Sequence, residues 1–205
     1  KTPRTMAESS NEQPNEASSD PVRPDPAPED SAPVDPSSED GPSEVEPTLA
    51  LLSQPRRDLL TRVVEVIQEY GPKPGALNDL PQVSVPAESI VAVCRRAKDD
   101  PGLDFKMLLC MSCVDYQEYF QMVYFLHSLE REQTLVVKVD VSYEEPSLPS
   151  LTSVWQAAEW YEREAHDLFG IAFEGHPDLS PLLLYEGFEG YPGRKEFPFY
   201  EYQEF

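Results

Sequence analysis

The chain is poor in cysteine, histidine and basic residues, and it has no long apolar run. Its 205 residues include three Cys, three His and 16 Lys plus Arg against 38 Asp plus Glu, a formal charge of −22. Such an acidic chain is a poor partner for a nucleic-acid backbone or an anionic membrane surface. No run of about 18 apolar residues exists, so no helical membrane span is expected. No basic n-region followed by an apolar h-region is present either. Three cysteines cannot all pair, which fits a reducing compartment. G-x-G-x-x-G, P-loop and nucleophile-elbow motifs are all missing. NADH, flavin and nucleotide therefore have no expected site on this chain.

Residues 1–47 lack aromatics altogether and hold ten of the 22 prolines, with twelve acids against three bases. Low hydrophobicity with high charge cannot offset the entropy of ordering, so this tail is expected to be disordered. It reads as a solvating tail, or as a clamp onto a basic patch of a neighbour.

Residues 48–152 read as the globular body. Leu59, Leu60, Val63, Val64, Ile67 and Tyr70 recur at helical spacing over 58–70, and Gly71 sits where a helix ends. A short strand is expected near Gln82–Val85. Pro86 suits the first turn of a second helix with the stripe Ile90, Val93, Cys94 and Ala97. Three strands follow. Phe105–Val114, mostly apolar, is expected to be central; Phe120–Leu129 and Thr134–Ser142 are joined by a short link at Glu130–Gln133. In the last strand Leu135, Val137, Val139 and Val141 alternate with Val136, Lys138 and Asp140, one face in and one out. The expected fold class is α+β: a two-layer domain with helices on one face of a mixed sheet. Residues 143–152, with Pro146 and Pro149, read as a linker.

Residues 153–205 read as a helix followed by an arm. Val154, Ala158, Tyr161, Ala165, Leu168 and Ala172 share one helical face. Glu159–Arg163, Arg163–Asp167 and Glu162–His166 are possible i,i+4 pairs beside it, and Gly170 stops the helix. Residues 170–205 carry nine of the 21 aromatics, with four prolines and five glycines and no period. Such an arm cannot build its own core, so it must lie on its own domain or on another subunit.

Cys110 and Cys113 form a C-x-x-C. It lies near the end of a strand rather than at a helix N-terminus, and acids follow it, so a structural role is favoured over a redox one. Glu162, Glu164, His166 and Asp167 suggest a metal or acid–base site. At about 100° per residue Glu164 points about 160° from Glu162, so the acids do not converge. A charged seam holding Arg163 between acids is preferred. Gly175–Leu179 reads as a tight turn in which His176 either meets a partner's backbone or satisfies a local carbonyl. Between 140 and 205 there are fourteen acids and three bases, Arg163, Arg194 and Lys195. Two adjacent cations flanked by aromatics make Gly193–Pro198 a docking candidate.

The run Glu162-Arg163-Glu164, Asp167, Phe169-Gly170, His176-Pro177-Asp178-Leu179, then Gly187-Phe188-Glu189-Gly190, Pro192 and Arg194-Lys195-Glu196-Phe197-Pro198 resembles the signature of the thirty-kilodalton (C) subunit of respiratory complex I. The close match covers about 45 residues. The chain departs at Ser180 and Pro181, where the family usually has basic residues, and at Tyr191, where it often has His. The resemblance implies a non-catalytic subunit of the hydrophilic arm of an NADH:quinone oxidoreductase. It would brace the quinone module while electrons pass from NADH to quinone, coupled to proton translocation. It implies packing against the large quinone-site (D) subunit, near the iron–sulfur (B and I) subunits, peripheral on the cytoplasmic face of the cell membrane. NAD, FMN, iron–sulfur clusters and quinone would belong to neighbouring subunits, with no cofactor, metal or catalytic residue on this chain. The expected partner interface comprises Glu162, Arg163, Glu164, His176, Pro177, Asp178, Phe188, Arg194, Lys195 and Phe197. Two alternatives stand beside this: the equivalent subunit of a ferredoxin or F420H2 dehydrogenase or membrane-bound hydrogenase, and a stand-alone thiol oxidoreductase using Cys110 and Cys113.

Overall fold

The alternating valines of β5 (Gln133–Ser142) set the frame of the computed structural model, which describes Leu49 and residues 52–198. The tail 1–47 lies outside the described residues. Leu135, Val137, Val139 and Val141 stand opposite Leu126, Tyr124, Met122 and Phe120 of β4 (Tyr119–Ser128) in antiparallel register. All eight are buried on one sheet face. Burying each such side chain is worth about 1.5–3 kcal/mol. Beyond β5 lie β2 (Leu80–Ser84), parallel to it, and β1 (Lys73–Leu77), antiparallel to β2; β3 (Met107–Asp115) pairs antiparallel with β4. The mixed sheet runs β1-β2-β5-β4-β3. β1 carries Pro74 and Gly75, which hid it from a reading by strand propensity.

β3 is thus an edge strand, not the central one expected from its apolar run. Its apolarity serves a single face: Leu108 and Met111 are buried, while Met107, Leu109 and Val114 are exposed. A register shift between Leu108 and Cys110 breaks its ladder, a common treatment of sheet edges.

The helices cover the same face as the buried valines. α1 (Gln54–Val66) has Pro55 in its first turn and buries Leu59, Leu60 and Val63. A 3-10 turn at Gln68–Tyr70 then ends at Gly71, whose φ of +62° is left-handed. α2 (Ile90–Asp99) buries all four residues of its expected stripe. α3 (Ala158–Phe169) adds Ala158 and Ala165 to the same hydrophobic cluster. The result is a two-layer α+β fold, as expected. The stretch read as a linker holds β6 (Ser147–Pro149), parallel to β7 (Ala172–Glu174). Both ends of α3 are therefore tied together by a small second sheet.

Candidate functional site

α3 does not carry the unbroken stripe expected of it. Val154 precedes the helix, and Ala172 lies beyond it, exposed in β7. Between Ala158 and Ala165 the buried face includes Glu162, whose side chain is fully enclosed. Its Oε1 accepts the Leu151 N–H and its Oε2 the Ser150 hydroxyl, both at 2.6 Å. The Nε2 of His176 approaches Oε2 to 3.9 Å. Burial pushes this carboxyl up, and the Ser150, Leu151 and His176 contacts only partly offset it. One carboxyl thus fastens the β6 segment, α3 and the turn after β7.

The ring of His176 is equally enclosed. Its Nδ1 accepts the Asp178 N–H at 3.1 Å, so its proton sits on Nε2, which donates to the Glu159 carbonyl at 3.1 Å. Of the two roles open to His176, it fills the local one. Asp178 then closes a second turn, taking the Ser180 N–H at 2.9 Å and its hydroxyl at 3.1 Å. These bonds, with Arg163 and His176 nearby, hold its carboxyl below the usual range.

Arg163 corrects the charged seam. None of the three expected i,i+4 ion pairs forms. The Arg163 Nε donates to the Ser180 carbonyl at 3.1 Å; Nη2 donates to the Pro181 carbonyl at 3.0 Å and the Ser180 hydroxyl at 3.2 Å. Its guanidinium also lies 5.3 Å over the Trp160 ring. Those carbonyls belong to Ser180 and Pro181, two of the three positions read from the sequence as departures from the family pattern. Asp167 is taken by backbone as well: its Oδ2 accepts the N–H groups of Leu182, Leu183 and Leu184 at 3.2, 2.7 and 2.8 Å. Successive N–H groups form such anion nests readily. Burial raises this carboxyl, but the three bonds outweigh it and the net shift is downward.

The rest of the arm closes the end of α3. The last carbonyls of a helix have no partner within it. Here the Leu168 carbonyl accepts the Gly193 N–H at 2.9 Å and the Phe169 carbonyl accepts the Arg194 Nε at 2.8 Å. A Cβ on Gly193 would stand 2.8 Å from the Phe169 ring, so only glycine lets the loop come this near. The Arg194 guanidinium lies 4.7, 5.1 and 5.3 Å over the rings of Tyr191, Phe120 and Tyr143. The Lys195 N–H donates to Asp115 Oδ2 at 2.8 Å, while Asp115 Oδ1 takes the Gln117 N–H at 2.6 Å. The arm therefore returns to its own domain at residues 193–195.

Of the expected interface residues, Glu162 and His176 are interior, and Arg163, Phe188, Arg194 and Phe197 are partly covered by the arm itself. Glu164, Pro177, Asp178 and Lys195 face outward. The cation of Arg194 is engaged within its own chain. The sequence reading missed Asp115, Ser150 and the exposed Trp160. Asp115 had a visible signal: it continues the inward series Leu108, Met111 and Cys113 after the register shift, so its carboxylate had to be buried and paired. Cys110 is exposed and Cys113 half-buried, on opposite faces as alternation requires. Burial and Asp115 push the Cys113 thiol up to about 12, and burial raises that of Cys110. Neither is poised as a thiolate nucleophile. Among the described residues no three His, Cys, Asp or Glu side chains gather as a metal site.

Residues 83–203 match the family model described as the respiratory-chain NADH dehydrogenase 30 kDa subunit. The NADH-quinone oxidoreductase C 2 subunit of Rhizobium meliloti is 44% identical over 133 residues, 63% of this chain and 72% of that protein. The C 2 subunit of Rhizobium etli is 39% identical over 163 residues, covering 78% and 82%. Among solved structures, a chain of the membrane-bound sulfane sulfur reductase, an archaeal respiratory membrane complex, superposes with a TM-score of 0.59 at 26% identity, covering 69% of this chain and 85% of that one. The clamps of Glu162, Asp167 and Arg194 therefore sit inside the matched region, and the chain belongs to the family of the 30 kDa subunit of respiratory-chain NADH dehydrogenase, the C subunit of the NADH-quinone oxidoreductases.

Proposed function

We propose that this chain is a structural, non-catalytic subunit of a complex I-type NADH:quinone oxidoreductase. The observation that carries this is where the polar groups of the signature are spent. Asp167, His176 and Arg194 fold the arm back onto α3, and Glu162, beside His176, fastens the segment that precedes the helix. The same packing leaves Trp160, Leu183, Tyr185 and Tyr191 exposed, at 58, 60, 72 and 41%. Large apolar side chains held outward by buried polar clamps suit a surface built for another subunit. Membership of the family adds other complex I subunits as partners. In our reading those are the quinone-site (D) subunit and the iron–sulfur (B and I) subunits, on the cytoplasmic face of the membrane. NAD, FMN, the clusters and quinone reside on the neighbours. The complex couples electron transfer to proton translocation while this chain braces the quinone module through Glu164, Pro177, Asp178, Lys195 and the exposed rings.

A second reading concerns the electron donor alone. The likeness to a sulfane sulfur reductase chain favours a fold shared by complexes with different redox partners. A mild-detergent pull-down from native membranes with this chain as bait, followed by mass spectrometry and a flavin assay, separates the two. Quinone-site and iron–sulfur subunits together with flavin-dependent NADH oxidation support the first. The same subunits without an NADH module support a ferredoxin, F420H2 or hydrogenase relative. A chain recovered alone defeats both.

A further inference from the structure

A pocket of about 160 Å³ opens between the C-terminal half of α3 and the arm, lined by Tyr185, Phe188 and Tyr191 with Asp167 and His166 from the helix. Asp167 spends only Oδ2 on the backbone of Leu182–Leu184; its Oδ1 has no hydrogen-bond partner among the described residues. The carboxyl is held below the usual range, so the wall of the pocket is anionic at neutral pH. Tyr185 and Phe188 meet edge to face at 5.4 Å, and among the described residues neither ring carries a cation. Glu186 and Glu189 add exposed acids beside the mouth. Arg163 is taken by Ser180 and Pro181, and Arg194 by the Phe169 carbonyl and one face of the Tyr191 ring, which leaves Tyr185 and Phe188 as the unoccupied rings of the pocket. Ring faces attract cations, most strongly where water is excluded. A cavity of about 150 Å³ accepts a benzene-sized group, larger than a guanidinium or ammonium head.

We infer that this pocket is an aromatic cage for one cationic side chain, an arginine or lysine, projecting from the subunit against which the arm is seated. The inference rests on the reading of this chain as an assembly subunit and names the chemistry of one contact. Charge complementarity selects the occupant. An anionic wall under ring faces, with Arg163 and Arg194 both engaged elsewhere, is a poor seat for an acidic knob.

Tyr185 is the place to test it, because at 72% exposure its substitution spares the fold. The full chain is produced in its native membrane complex and used as bait in mild detergent. Tyr185→Phe keeps the ring face and Tyr185→Leu keeps apolar bulk without it. The Phe variant should bind its partner subunits like wild type, and the Leu variant roughly threefold to thirtyfold more weakly. Photoreactive benzoylphenylalanine in place of Tyr185 should crosslink a partner peptide that contains Arg or Lys. Equal behaviour of the Leu and Phe variants overturns the cage while the assembly reading stands. So does a crosslink only to this chain, or to a partner peptide without Arg or Lys. Wild-type bait that recovers no partner subunit overturns both.

Discussion

The ring of Tyr191 lies where a side chain of Gly170 would be. A Cβ on Gly170 would stand 2.5 Å from the ring, and the backbone there has φ +74°. Two separate requirements for glycine coincide at the helix stop, one of backbone and one of space. Gly170→Ala should cost about 1–2 kcal/mol for the left-handed backbone alone, with the clash against Tyr191 added to it. Tyr191→Ala on that background should recover the steric part and leave the backbone part. Denaturant midpoints of the two variants and the wild-type chain check this; full recovery in the double variant would show that the backbone term is absent.

Arg194 and Lys195 are adjacent cations with different work. Arg194 makes one hydrogen bond to a helix-end carbonyl and faces three rings. Lys195 is outward, and only its backbone N–H is used. Arg194→Lys keeps the charge but loses the planar fork that stacks on rings. It should destabilise the arm of the free chain by about 1–2 kcal/mol, read as roughly tenfold faster hydrogen exchange over 191–197. Lys195→Ala should leave that exchange unchanged. Equal protection in both variants would show that the cage of rings around Arg194 contributes nothing.

Local periodicity carried most of the fold. The buried stripe of α2 and the inward valines of β5 were read residue by residue, because 3.6- and 2-residue periods depend only on neighbours in sequence. What escaped depends on distant partners. β1 and β6 pair through Pro- and Gly-bearing stretches, and β3 is an edge although its sequence is as apolar as that of a central strand. The i,i+4 charges of α3 suggested a seam on the helix surface. Arg163 instead found carbonyls seventeen and eighteen residues away, and Glu162 found a backbone N–H eleven residues back. The arm was recognisable as a segment needing a surface, but its choice of its own domain was set by Gly193, Arg194 and Asp115 together.

Glu162 makes the domain less stable as pH rises. Its folded-state carboxyl is raised above the ordinary value near 4.5 by burial. Its contribution is fully present below that value and is lost as pH climbs through the raised one, because ionisation then occurs in the interior. Glu162→Gln should remove this acid-side slope while an amide oxygen still accepts the Leu151 N–H. Glu162→Ala leaves the Leu151 N–H without an acceptor, at about 1–3 kcal/mol, while the Ser150 hydroxyl can turn to Thr152 Oγ1 at 2.8 Å. Stability measured from pH 4 to pH 8 decides the matter: parallel curves for wild type and the Gln variant would mean that Glu162 does not titrate in this window.

Asp167 has the opposite sign, and the difference lies in the donors each carboxyl meets. Three N–H groups converge on one oxygen of Asp167, enough to overcome its burial and hold it below its ordinary 3.8. Its contribution is present above that value and fades as pH falls through the lowered one. Asp167→Asn keeps an acceptor for the nest but not the charge. It should cost about 1–2 kcal/mol at neutral pH, toward the lower part of the range for bonds to a charged group because the other oxygen is open to the pocket. The loss should shrink as pH falls through the lowered value, where the wild-type carboxyl becomes neutral too. Exchange of the Leu182, Leu183 and Leu184 amides, followed from pH 3 to pH 7 in wild type and the Asn variant, reads it directly. Protection that does not change with the substitution would mean that neighbouring packing, rather than the Asp167 carboxylate, holds the arm at this point.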